Sequence, residues 1–268
     1  MAQATQGSST LPRGPEREVR FLGASSIGGA RVSYVVVLGA VVAVLSFIPF
    51  SIALSAGSSF PMAQGVYPLT GLLLGPWGGA AASALGSLVG VFLAPHTAGL
   101  PWLTVAGSAL GAVAAGCLVS RGRARLSAGV SALILAEIFL FQAHAVGVNG
   151  VSASIFANAY AAHFLAIATF MLPTRGVVAS LIESADLRKV WLGLFIGTWC
   201  ASSIMMLSES FVSYYLFNWP EALFRLFMGL IPFEQAARSG IGAVIGTGVI
   251  AGLRGISLLG RSGGVRLP

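Results

Sequence analysis

The chain has 268 residues, of which 56% are hydrophobic and only 9% charged. Its mean hydropathy is +0.88. A soluble globular chain carries about 25% charged residues, so this composition excludes an ordinary soluble domain and points to a protein that crosses a membrane several times. The net charge of +7 does not imply nucleic acid, because the basic residues cluster between apolar segments, as topology signals do.

Residues 1–31 form a polar tail with Arg13, Arg17, Arg20 and Arg31. It is expected to be disordered or to lie on the membrane surface. The first apolar run, from Val32, contains Ala53-Leu54-Ser55, which resembles a signal-peptidase site. The run exceeds the ~7–15 apolar residues of a signal-peptide core, so a retained first helix is expected.

The charge-free stretch from Pro61 to Pro95 comes next. Its first arm is short for a bilayer crossing, which takes ~20 residues. A Gly75-Pro76 corner follows. The second arm carries Gly79, Ala82, Ser83, Gly86 and Gly90 on one helical face, where a neighbouring helix can approach closely. This predicts a tight helical hairpin buried among other helices.

The expectation is an all-α polytopic bundle of about eight membrane segments, at 33–54, 62–75, 77–94, 101–119, 127–146, 153–172, 190–216 and 236–258. The transmembrane domain covers 32–258, and 259–268 form a short second tail. Thirteen of the fifteen basic residues fall in linkers assigned to one side, and only Arg225 and Arg238 fall on the other. The positive-inside rule then puts both termini in the cytoplasm of a cell membrane. Within 217–235, Pro220 suits the start and Pro232 the end of an amphipathic helix lying on the outer interface.

Ionisable residues at bilayer depth are costly and are functional candidates. A hairpin about Asn149-Gly150 would pair Glu137 with His163 and Gln142 with Asn158, because each pair sits at a matched depth. Such pairs serve either as a binding or proton-linked element or as polar glue between helices. Toward the outside lie His96, His144, Asn149, Asn158, Glu209, Tyr214 and Trp219. If several converge, they form a small-molecule pocket; otherwise the aromatics are a headgroup belt and His96 is a solvated loop residue. The three histidines have no local ligand motif, so no metal and no cofactor is expected. Cys117 and Cys200 lie in apolar runs and read as core residues. The chain lacks a phosphate-binding loop, a His-Glu-x-x-His and a Gly-x-Ser-x-Gly. No enzyme is expected, and ATP-driven work would need a partner.

The first helix, VVLGAVVAVLSFIPF, and the hairpin, YPLTGLLLGPWGGAAASALGSLVGVFLAP, resemble the substrate-binding S component of energy-coupling factor (ECF) transporters. The closing run RSGIGAVIGTGVIAGLR, with Gly242, Gly246, Gly248 and Gly252, is similar to that family's last helix. The resemblance implies capture of a vitamin, cofactor or other small molecule in the outer half. It implies docking on a transmembrane scaffold subunit through a small-xxx-small motif, here Gly39 and Ala43, and energy from two cytoplasmic ABC-type ATPases. The family has six helices, so the eight segments amount to six plus an extra central pair. Two alternatives stay open. One is a stand-alone secondary transporter using Glu137, His163 and Glu209. The other is a non-transporting subunit of a larger membrane complex.

Overall fold

The computed structural model describes residues 25–53, 58–120, 122–172 and 175–255. Most of both polar tails, together with Leu54, Ser55 and Arg121, lies outside them. The described residues are mainly helical, with two small hairpins: β1 (Ser26–Ile27) with β2 (Ala30–Arg31), and β3 (Pro49–Ala53) with β4 (Ser58–Pro61). Five helices are long and apolar enough to cross a membrane, or six if one bent pair counts as a single span.

α1 (Val32–Leu45) is shorter than the expected 33–54. The Ser46 hydroxyl turns back to donate to Val42 O at 2.9 Å. Pro49 has no N–H for a further turn, so the chain leaves the helix for β3. A 3-10 turn, Met62–Gly65, then leads into α2 (Tyr67–Leu93).

α2 is the expected hairpin. At Gly75 the backbone takes φ 76° and ψ 177°, which a side chain would resist, and Pro76 starts the second arm. The arms then fold back on each other. Thr70 Oγ1 donates to Gly79 O at 3.0 Å and lies 2.8 Å from Ser83 Oγ, which itself reaches Tyr67 O at 3.2 Å. Gly71 lies directly against Gly79 and against the Ala112 carbonyl of α3 (Pro101–Val119). Gly116 seats α3 on the Pro76 corner, and Gly39 of α1 lies on Ala82 and Gly86. No larger residue fits at these contacts, so the small-residue pattern builds the fold by letting backbones touch.

α4 (Ala124–Gln142) ends in a widened helical turn at Ala143–Val148. The expected 153–172 segment is two helices, α5 (Ala153–Ala159) and α6 (Ala161–Met171), bent by 64°. α7 (Arg175–Glu183) is a short amphipathic helix, which Arg254 clamps by donating to Ser184 O at 2.8 Å.

α8 (Leu187–Phe217) and α9 (Glu221–Gly255) complete the bundle as an antiparallel pair, turned by Asn218 in the left-handed region at φ 44°. The expected stop at Pro232 is corrected: α9 runs straight through it. Pro232 is exposed and removes one backbone bond; the buried Phe224 before it and Glu234, Gln235 and Arg238 after it hold both parts of the helix in the bundle. At about 1.5 Å per residue α9 is about 52 Å long, more than a bilayer core. Cys117 and Cys200 are buried thiols.

Candidate functional site

The centre of the bundle is polar. The 3-10 turn Met62–Gly65 joins β4 to α2, and Gln64 on it and Tyr67 just after it are buried, 2% and 1% exposed. Gly65 and Gly242 let this turn press onto α9, where a side chain at Gly65 would meet the Arg238 carbonyl. Irregular backbone inside a membrane protein is tolerated where it is buried in protein or lines a cavity.

α9 lays Gln235, Arg238, Ser239 and Gly242 along this centre, at the three- and four-residue spacing of one helical face. Gln235 is the hub. Its Oε1 accepts from Ser202 Oγ at 3.0 Å, and its Nε2 donates to Ser203 Oγ at 3.1 Å and to His163 Nδ1 at 2.9 Å. Arg238, only 1% exposed, donates to Glu234 Oε2 at 2.8 Å. A buried ion pair one helical turn apart removes two charges from hydrocarbon at once.

Glu209 of α8 reaches the same region. It is buried, its carboxylate lies directly over Gly107 of α3, and Tyr67 and Arg238 are its electrostatic neighbours. Its Oε1 has no hydrogen-bond partner, nor do Gln64 Oε1 and Tyr67 Oη. Buried polar atoms are almost always satisfied; of the nine such atoms without a partner among the described residues, those of Gln64, Tyr67 and Glu209 gather at this irregular segment and form the candidate site.

A second polar cluster sits at the α8–α9 turn. His144 Nε2 lies 3.1 Å from Asn218 Oδ1, and Asn149 Nδ2 donates to Tyr214 Oη at 2.7 Å and to Asn218 Oδ1 at 3.0 Å. His144 stacks on Tyr215 at 4.4 Å, and Trp219 meets Tyr214 edge-on. The Glu221 carboxylate accepts from the Ser152 amide at 2.9 Å. Asn149, Val151, Asn218, Trp219 and Glu221 line a shallow cleft of about 350 Å³. Of the seven outer residues singled out from the sequence, His144, Asn149, Tyr214 and Trp219 thus converge. Glu209 belongs to the central site. His96 is exposed near the end of α1, and Asn158 points outward from α5.

Both depth-matched pairs are corrected. Glu137 accepts from Ser208 Oγ of α8, and His163 bonds Gln235 of α9. Gln142 and Asn158 are both exposed and share no hydrogen bond. The cause is the bend at Tyr160. α4 and α5 do touch, through Phe141 against Phe156 at 5.0 Å and Tyr160 at 5.3 Å. Beyond Tyr160 the 64° turn sends α6 toward α8 and α9. Gly39 is likewise spent inside the chain, on α2, and Ala43 is half-buried.

Gln64, Tyr67, Glu234, Gln235 and Arg238 escaped the sequence reading. One signal was present: Glu234 and Arg238 are four apart, so they share a face of the helix. Among the described residues no three metal-ligating side chains cluster. No protein family, curated protein or solved structure matches this chain.

Proposed function

We propose that the chain is the substrate-capture subunit of an ECF-type importer, binding a small molecule in the central polar site. The observation that carries the reading is the group of unsatisfied buried atoms on Glu209, Gln64 and Tyr67. A purely structural bundle gains nothing from holding a carboxylate oxygen without a donor away from water.

In this reading the chain crosses the membrane eight times. The passes are α1, the two arms of the hairpin (62–74 and 76–93), α3, α4, the bent α5–α6 pair, α8 and α9. Arg123, Arg125, Arg188, Lys189 and Arg254 gather at the corner end of the bundle, which faces the cytoplasm and leaves both termini there. Docking on the scaffold uses the outward face of α1, where Ser33, Val37, Ala40 and Val44 follow one another at helical spacing and are exposed. The Gly39 face is already occupied by α2.

A second reading, a stand-alone secondary transporter, draws support from the same ionisable groups, Glu209, Glu234 and Arg238, deep in the bundle. Affinity purification in mild detergent, with mass spectrometry of retained proteins and small molecules, separates the two. Recovery of a membrane scaffold with two ABC-type ATPases and a metabolite supports the importer. Recovery of the chain alone, with uptake into liposomes free of ATPase, overturns it in favour of the second reading.

A further inference from the structure

We infer that the ligand of the central site is a small organic cation carrying N–H donors, held by Glu209 with Gln64 and Tyr67. The inference rests on the capture reading above and adds the ligand's chemistry. The argument starts from charge. Two carboxylates, Glu209 and Glu234, and one guanidinium, Arg238, are buried around the broken segment. The guanidinium donates to Glu234 at 2.8 Å on its own helix. That one guanidinium is also an electrostatic neighbour of Glu209, so two carboxylates share one cation, and no described side chain donates to Glu209 Oε1.

Beside the Arg238 guanidinium, which is a donor, the three side chains offer mainly acceptors. Glu209 Oε1 and Gln64 Oε1 are acceptors, and Tyr67 Oη can take either role. A ligand that satisfies them must bring hydrogens, and one that neutralises Glu209 must bring positive charge. An anion would meet two carboxylates set against one guanidinium. A metal ion is disfavoured by the donor set, because no three ligating side chains cluster among the described residues. Gly107 fixes the position of the charge. Its missing side chain leaves the space that the Glu209 carboxylate fills, so the carboxylate cannot retreat toward α3.

The test uses the full chain in detergent and three isosteric probes: benzamidine, benzamide and benzoate, measured by calorimetric titration. The expected result is that benzamidine binds at least about tenfold more tightly than benzamide, the scale of one charge-assisted hydrogen bond, and that benzoate does not bind. Glu209→Gln is expected to erase the gap between benzamidine and benzamide, and Gln64→Leu to weaken benzamidine. If Glu209→Gln does not purify, Glu209→Asp withdraws the carboxylate and must weaken benzamidine more than benzamide. Equal binding of the three probes, tighter binding of benzoate, or no binding of benzamidine at millimolar concentration overturns the inference. Co-purification of scaffold and ATPases with a neutral or anionic metabolite also sinks it, and leaves the capture function standing. A chain purified with neither partners nor metabolite sinks the capture function itself.

Discussion

Between α1 and α3 the chain brings backbones together; between α8 and α9 it brings polar side chains together. In the first region Gly39 meets Gly86, Gly71 meets Gly79 and the Ala112 carbonyl, and Gly116 meets Pro76, with no charged residue from Pro61 to Pro95. In the second region Gln235 ties three side chains and Arg238 ties Glu234, all of them buried. Close backbone contact is rigid and chemically inert. A polar interior is costly to bury but offers groups that can change partners. The difference teaches a division of labour: α1–α3 supply a fixed frame, and α8–α9 supply the chemistry that meets it at the Met62–Gly65 turn.

The largest expected effect breaks the polar region. Arg238→Met leaves Glu234 buried without its cation, which costs about 3–5 kcal/mol. Thermal unfolding in detergent should show a large drop in midpoint. The double variant Arg238→Met with Glu234→Leu should recover most of it, because a well-packed apolar pair replaces a buried ion pair with little loss. A double variant as unstable as the single one would mean that the two residues do not act as a pair.

The next effect breaks the frame. A Cβ at position 71 collides with the backbone carbonyl of Ala112, which cannot rotate away. Gly71→Ala should therefore cost about 1–3 kcal/mol by overpacking, read as a lower midpoint without any change in ligand preference. An unchanged midpoint would show that the arms of the hairpin are not in contact with α3.

The cleft at the α8–α9 turn should respond more weakly than either. Asn149 donates to Tyr214 and to Asn218, but it is exposed, so water replaces part of what is lost. Asn149→Ala should cost about 1 kcal/mol. If the central site is where the ligand binds, this variant leaves the affinity for benzamidine unchanged. A large loss of affinity would move the site to this cleft.

The contrast between the two regions also explains what could be read from the residues alone. The hairpin was legible because its determinants are local: a Gly-Pro corner, a short arm and small residues at three- and four-residue spacing. The outer cluster was half legible, since His144, Asn149, Tyr214 and Trp219 flank two neighbouring turns. Of the central site only Glu209 and His163 stood out. Gln64, Tyr67, Glu209 and Arg238 are brought together by packing across some 170 positions of sequence, of which Gln64 and Arg238 mark the ends. Two local signals also misled. Pro232 reads as a helix stop but lies inside α9, where tertiary contacts outweigh one lost bond. Depth matching of Glu137 with His163 assumes straight helices, and the bend at Tyr160 removes that assumption.

The smallest effect sharpens the comparison within one helix. The glycines of α9 look alike in sequence, yet they divide. Gly242 and Gly246 lie against Gly65, Thr198, Leu69 and Leu194, whereas Gly248 and Gly252 have open space where a Cβ would go. Gly252→Ala should thus leave the isolated chain as stable as before, or stabilise it by up to ~1 kcal/mol through helix propensity. Gly242→Ala, which meets the Gly65 carbonyl and Thr198, should destabilise it. Equal losses at both positions would mean that α9 is packed all round. A loss at Gly252 seen only in the presence of co-purified partners would place that face of α9 against another subunit, and add a second docking surface to the outward face of α1.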